Sequence, residues 1–395
     1  GATRMSNITF FPVDCGDMTL IRLADAAVSS ILIDVNIRAA ADDADDTSVR
    51  DVASDLRARL QRDGLGRPYV DVFMLSHPDK DHCLGLARHF YLGPIEDYPD
   101  DKKADKDKRI VIREIWSSPL VFRRRSKDHV LCDDALAFNR EAKRRVTQYR
   151  HGLGNKDGER VLLMGEDVDG KTDDLSPIVI KPGSTFSRIN GASSSYFEAT
   201  LLAPILCDDP DIVEELKKNN SSIVINFALD SVEAGRPHCK FLSGGDAEVY
   251  VWELLWAEYG KSGELQYDLL QAPHHCSWHS LSWDSWSENG EKAQVSPEAR
   301  AALGQAKTGA VIVASSKRIL DDKNDPPCIR AKREYESILA AVGGKFMCTG
   351  EYPQYWEQAP LDLQVSFGAV RVRKTGAGSS TVAALAAAPR AGSPQ

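Results

Sequence analysis

Residues 73–86 of this chain read FMLSHPDKDHCLGL, which crowds His77, Asp79, Asp81 and His82 into one short stretch directly after an apolar run ending at Leu75. Two later stretches end in the same chemistry: KFLSGG runs into Asp246, and YDLLQAP runs into His274 and His275. Carboxylates and neutral imidazoles are what a pair of divalent ions requires. Two cations roughly 3.5–4 Å apart repel each other, so carboxylates bridge or flank them while imidazoles complete the shells. A His-x-Asp-x-Asp-His loop can aim alternate side chains at both ions. Water on such an ion has its pKa lowered toward about 7, which gives a hydroxide nucleophile near neutral pH, and phosphoryl and carbonyl centres both suit that machinery. The residues His77, Asp79, Asp81, His82, Asp246, His274 and His275 are therefore the candidate metal site, with Asp81, His274 and His275 the candidates for direct work in catalysis.

Each residue taken singly has an ordinary explanation, an aspartate after a strand being usually a cap and a histidine a hydrogen-bonded surface group. Their co-occurrence at strand ends carries the reading. In layered α/β folds, groups just beyond strand C-termini converge on one rim, so distant segments can build one site. The elements needed to do this are legible. ITFFPVD, MTLIRLA and SSILIDVNI, between residues 8 and 37, read as paired strands separated by turn residues. Val49, Val52, Leu56 and Leu60 recur at helical spacing after a Thr47 or Ser48 cap, with Gly64 closing the helix. YVDVFMLS is a buried-strand run from which the His77 loop hangs.

Residues 93–175 are rich in Asp, Lys and Arg and read as a charged insertion on the core, holding a strand in RIVIREIWSS and a helix in DDALAFNREAKRRVTQY. Beyond them, SYFEATLLAPI, SSIVINFAL, KFLSGG, YDLLQAP, GAVIVASS and GKFMCTG read as strands. AEVYVWELLWAEYG is a helix whose aromatic stripe suits core packing, and CIRAKREYESILAAVGG is a late helix. Residues 374–395 are low-complexity sequence expected to form a flexible tail, leaving residues 5–373 as one folded domain.

At 395 residues, 42% hydrophobic and 27% charged, the composition is that of a globular protein, and no apolar run approaches the roughly 18 residues that span a bilayer. The opening GATRMSNITF shows no secretion signal, and eight scattered cysteines without a C-x-x-C pair suggest a reducing, cytoplasmic setting. A net charge of -9 argues against non-specific coating of duplex DNA. A local basic concentration nonetheless occurs at Lys102, Lys103, Lys106, Lys108, Arg109, Arg123, Arg124, Arg125, Lys127, Lys143, Arg144 and Arg145. Its commoner explanation is solvated faces with aspartates interspersed.

At these residues the sequence resembles the metallo-β-lactamase fold superfamily, whose signature loop is H-x-H-x-D-H. SHPDKDH is closer to the ComEC-type branch, the hydrolase domain of DNA-uptake competence proteins and its soluble relatives, which carries aspartate at the place of Asp79. PVDCGDMTLI, ILIDV, NNSSIVI, FLSGGDAE and LLQAPHHCSWHS resemble further stations in the family's order, over roughly residues 7–352. The resemblance implies a four-layer αββα sandwich with the metal site on one edge between two sheets. By carry-over, His77, Asp79, Asp81 and His82 bind metal, Asp246 bridges or flanks, one of His274 and His275 is a ligand and the other contacts the substrate's phosphate or leaving group, in an order the sequence leaves open. Asp34 is implied as the carboxylate that orients the ligand loop.

The chain also departs from the family. Cys276 replaces the usual glycine after the His pair, Val35 replaces a small residue after Asp34, and KNDPPC lacks the family's late imidazole. The middle histidine has no counterpart between residues 176 and 245, where Asn219, Asn220 or Ser222 are candidates for that space. Cys276 as a nucleophile is disfavoured because no separate base accompanies it. Trp278, Trp283, Trp286 and His279 follow, suited to loop packing or, less commonly, to stacking on a substrate ring.

The expected function is a metal-dependent phosphodiesterase or nuclease with two ions, zinc or manganese, magnesium also suiting carboxylate ligands. The expected partner is a nucleic acid or a small phosphodiester substrate. The alternatives are a hydrolase of small phosphodiesters, esters or lactones, and a weakly active metal-binding module that docks a protein partner through its charged insertion.

Overall fold

The computed structural model describes residues 4–119, 130–167, 170–205, 221–229 and 238–373. The expected flexible tail from Lys374, together with Asn219, Asn220, Arg123, Arg124, Arg125 and Lys127, lies outside them.

Two large sheets form the centre. The first runs, in spatial order, Val179–Ile180, Arg160–Met164, Ile110–Ser117, Pro68–Met74, Ser30–Ile33, Thr19–Arg22, Asn7–Phe10, Leu361–Ser366 and Ala369–Val372, with Gln61–Arg62 and Phe90–Tyr91 at its flank. The second runs Thr185–Phe186, Phe197–Ala203, Val224–Leu229, Cys239–Ser243, Tyr267–Gln271, Ala306–Ala314 and Lys345–Cys348.

Side-chain alternation along these strands builds the layers. Ile31 and Ile33 face the second sheet while Leu32 faces outward; Phe241 faces the first sheet while Leu242 faces outward. The inter-sheet core gathers Phe10, Trp116, Phe186, Phe197, Phe227 and Phe241. Outside the first sheet lie Val52–Arg57 and Asp133–Arg150, and outside the second lie Val249–Tyr259, Pro297–Leu303 and Ile329–Ala340. The described residues therefore form a four-layer αββα sandwich, the architecture that the sequence resemblance implies.

Several sequence expectations change in detail. The helix expected over Val49–Leu60 is confined to Val52–Arg57 and is capped by Asp51, whose carboxylate accepts the Ser54 N–H at 3.0 Å; Thr47 and Ser48 precede it in turns. Within residues 93–175, Ile110–Ser117 pairs in parallel with Pro68–Met74, and Arg160–Met164 pairs in parallel with Ile110–Ser117. Ala135, Phe138, Ala142 and Val146 of the following helix pack on this sheet. The charge of this region thus decorates elements that belong to the sandwich.

What positions the site is the parallel pairing near the centre of each sheet. Ser30–Ile33 runs parallel to Pro68–Met74, and Cys239–Ser243 parallel to Tyr267–Gln271, so Asp34, His77, Asp246 and His274 all follow strand C-termini. The two sheets are tied at that edge by the Ile223 N–H donating to the Ser76 carbonyl at 2.9 Å.

Candidate metal centre

The ligand loop is anchored at both ends. Asp34 has φ of +59°, a left-handed conformation a non-glycine residue rarely adopts. Its N–H donates to the Met74 carbonyl at 2.9 Å, and its carboxylate accepts the Ser76 N–H at 2.7 Å and the Ser76 hydroxyl. The same carboxylate lies 2.8 Å from Nδ1 of His82. After His77 the chain turns through Asp79 into the short helix Lys80–Cys83, which carries Asp81 and His82. Val35 and Asn36 bridge to Cys83 and Leu84, fixing the helix from below.

The second sheet supplies the rest. Asp246 follows Gly244 and Gly245; Gly245 has φ of +52°, and a Cβ there would lie 2.9 Å from Oγ of Ser76. The glycine lets the strand end approach the ligand loop. Ser222, fully buried, accepts the Asp246 N–H at 3.0 Å, so it holds the backbone of this residue from the region where the missing middle histidine would fall.

His274, His275 and Cys276 have φ of +51°, +53° and +66°, three consecutive left-handed residues, each costing about 1–2 kcal/mol for an L-residue. The family's glycine in the third position has its physical reason here. The strain is held by surrounding bonds: the His274 N–H donates to the Gly245 carbonyl, and Cys328 N–H to the Cys276 carbonyl, both at 2.9 Å. Asp325, from the KNDPPC stretch, accepts the Ser277 hydroxyl at 2.7 Å and the Trp278 N–H at 3.1 Å. Where the family resemblance led one to look for an imidazole, this chain has a carboxylate clamp on the post-histidine loop.

Asp81, His82, Asp246 and His275 can each offer one ligand atom such that all lie within 4.8 Å of one another, and His77, Asp79 and Asp246 form a second such group. Asp246 belongs to both. Nε2 of His82 is 3.0 Å, and Nε2 of His275 3.4 Å, from its Oδ1, while Nε2 of His274 is 3.8 Å from Oδ2. Nε2 of His275 is also 3.0 Å from Asp81 Oδ2. His275 is the inward-facing member of the pair, 1% exposed; His274, 14% exposed, stands at the rim with Nδ1 3.5 Å from Glu248.

These residues fit a divalent ion on two counts. Nε2 of His82, Oδ1 of Asp246 and Nδ1 of His77 are buried without a hydrogen-bond partner, a costly condition that coordination would relieve. The electrostatics agree. Burial alone would lower the pKa of His82, but the Asp246 and Asp34 carboxylates outweigh it and hold the imidazole well above its ordinary value; His275 is raised in the same way by Asp246 and Asp17. Burial would raise Asp246, yet His82 and His275 hold it well below the usual carboxylate range. A pocket that draws protons onto its imidazoles is short of positive charge, which a divalent cation supplies while displacing those protons.

The remaining candidates fall outside this cluster. Cys276 is fully buried in the second sheet's outer core, and burial pushes its thiol well above its ordinary pKa, so it is no nucleophile. Trp278 and Trp286 are buried packing residues, and Trp283, 56% exposed, donates to Glu253 at 2.9 Å. Asp17, which the sequence analysis did not single out, lies buried against His275 and His82. Its signal was the second aspartate of DCGD, which lies in the stretch PVDCGDMTLI that resembles a station of the family.

Among solved structures, the chain is similar to a long form RNase Z from yeast, with 10% sequence identity and a TM-score of 0.35, over 86% of this chain and 44% of that one. The chain thus spans less than half of that protein's length. At such values the likeness adds nothing to what the topology shows. No protein-family model and no curated protein matches the sequence. No helix among the described residues is long and apolar enough to cross a membrane.

Proposed function

We propose that this chain is a divalent-metal-dependent phosphodiesterase with a ComEC-type ligand loop, acting on single-stranded or short nucleic acid. The observation that carries the proposal is the meeting, at one edge between the sheets, of buried imidazole and carboxylate atoms that have no hydrogen-bond partner. Because the ligands come from both sheets, the working unit is residues 5–373 as a whole.

His77, Asp79 and Asp246 would hold one ion and Asp81, His82, Asp246 and His275 the other. Bound ions supply Lewis acidity, lowering the pKa of a coordinated water toward about 7 and stabilising charge on the attacked phosphorus. The chain's own part is placement. His82 and His275 are buried and aimed at Asp246, whereas Asp79, Asp81 and His274 are 27%, 37% and 14% exposed and mark the face open to substrate. Glu248 orients the His274 imidazole at that face for contact with the phosphate or the leaving oxygen. Aspartate-rich ligation favours harder ions, so manganese and magnesium stand beside zinc.

One observation favours a smaller substrate. Five of the described residues of the basic concentration are paired inside the chain: Lys103 and Arg109 with Asp100, Lys108 with Asp105, Arg144 with Glu141 and Glu159, and Arg145 with Glu141. With a net charge of -9, this suits a small phosphodiester, ester or lactone better than a long polyanion. The deciding experiment offers labelled single strands and a panel of chromogenic phosphodiesters and esters to the manganese-loaded protein, beside the Asp81→Asn, Asp246→Asn double variant. Cleavage of strands that the double variant abolishes supports the nuclease; cleavage confined to the small panel selects the second reading; metal-loaded protein inert on both removes the hydrolase proposal.

A further inference from the structure

Asp17 is 3% exposed and sits in the loop between Asn7–Phe10 and Thr19–Arg22, far in sequence from every ligand. Its backbone is held from both sheets. The Asp17 N–H donates to the Asp81 carbonyl at 3.2 Å, which joins the loop to the ligand-bearing turn. The hydroxyl of Ser315 donates to the adjoining Gly16 carbonyl at 2.6 Å. Glycine at position 16 is what permits the approach, since a Cβ there would lie 2.1 Å from Nδ2 of Asn36 and 2.8 Å from the Asp81 carbonyl. So placed, the Asp17 carboxylate presents Oδ1 at 3.2 Å from Nδ1 of His275 and Oδ2 at 3.7 Å from Nδ1 of His82. Neither Oδ1 of Asp17 nor Nδ1 of His275 has a hydrogen-bond partner elsewhere.

We propose that Asp17 is a positioning residue that accepts the Nδ1–H of His275 and thereby turns its Nε2 lone pair toward the point shared by Asp81 and Asp246. A neutral imidazole carries one N–H, so a carboxylate fixed at Nδ1 selects which nitrogen is left to bind metal. The site contains its own precedent: Asp34 lies 2.8 Å from Nδ1 of His82, whose Nε2 then faces Asp246 at 3.0 Å. Asp17, from the first sheet, and His275, from the second, repeat that arrangement across the two sheets. His82 and His275 thus each have a carboxylate at Nδ1, and the DCGD turn supplies the second one. His274, whose Nδ1 faces Glu248 and not Asp17, is left free for the substrate side.

The inference rests on the metal-centre reading, and its test separates the two. Zinc is loaded into the full chain and counted by elemental analysis, its affinity is measured by chelator competition, and the imidazole nitrogens are observed by ¹⁵N NMR in the wild type, Asp17→Asn and Asp17→Ala. The wild type is expected to show His275 protonated at Nδ1 and coordinated through Nε2. The Asp17 variants are expected to lose the protected Nδ1 proton of His275 but keep that of His82, and to bind zinc roughly 10–100-fold more weakly. Zinc affinity unchanged in either folded variant, with the His275 proton still at Nδ1, overturns the proposal and leaves the metal centre standing. A wild-type spectrum with His275 protonated at Nε2 overturns it without recourse to any variant. Wild type that takes up no zinc sinks the proposal and the metal centre together.

Discussion

Glu141 and His82 are 4% and 0% exposed, in two regions that treat buried charge in opposite ways. Around Glu141 everything is closed. Its carboxylate accepts from Arg144 at 2.7 Å and Arg145 at 2.8 Å, and the Arg145 guanidinium donates onward to the carbonyls of Ile112 at 2.9 Å and Arg160 at 3.1 Å. The helix that carries them, Asp133–Arg150, has no residue of positive φ. At the ligand edge, Nε2 of His82 and Oδ1 of Asp246 are left without hydrogen bonds, and the backbone at His274, His275 and Cys276 is left-handed throughout. Buried charge that serves the fold is closed within the chain, whereas buried charge with open valences on a strained backbone awaits a ligand.

The comparison is broken most severely by removing the open carboxylates. The Asp81→Asn, Asp246→Asn protein should lose its metal, by elemental analysis, and at least about 100-fold in hydrolysis. In the metal-free state it should melt lower than the wild type, because the carboxylates that the buried imidazoles hold in their charged form are gone. A double variant that keeps its full complement of metal would show that the edge is closed after all.

The converse substitution is next in size. Glu141→Ala leaves the Arg145 guanidinium buried without its countercharge and should cost about 3 kcal/mol in urea unfolding, with metal content and turnover retained in the folded protein. Its pH dependence sharpens the contrast. Burial pushes the Glu141 carboxyl up, but the hydrogen bond from Arg144 and the charge of Arg145 outweigh it and hold it below its usual range. The folded value therefore lies below the unfolded one, near 4.3. The stability that the carboxylate contributes is present in full above the unfolded value and is lost as the pH falls through the folded one. The gap between wild type and Glu141→Ala should accordingly be constant near neutrality and narrow on acidification; a constant gap down to acid unfolding would contradict the assignment. The smallest effect is expected at Cys276, where Cys276→Ala should cost about 1 kcal/mol in thermal unfolding and leave turnover unchanged, since the thiol faces the core.

The candidate ligands were legible because each sits next to the strand end that presents it. His77 to His82 form one local cluster, Asp246 follows a glycine pair, and the two histidines follow an apolar run. The order within that pair was not legible. Side chains of adjacent residues in left-handed conformation point in directions that no local pattern encodes, and it is the ring orientation that buries His275 and leaves His274 at the rim. Asp17 escaped notice for a related reason, since its meaning depends on His275, which comes from the other sheet. The basic stretch read as solvated faces with aspartates interspersed, and five of its described members, Lys103, Lys108, Arg109, Arg144 and Arg145, are paired with Asp100, Asp105, Glu141 and Glu159.

By itself the sequence determined the layered α/β character, the strand ends and the residue types that gather at them, because alternation, turn residues and clustering are short-range properties. Only the tertiary structure decided which imidazole faces inward, which carboxylates stand behind the ligands and which charges cancel. Those outcomes depend on the relative placement of two sheets, a relation between residues hundreds of positions apart that burial and hydrogen bonding enforce together.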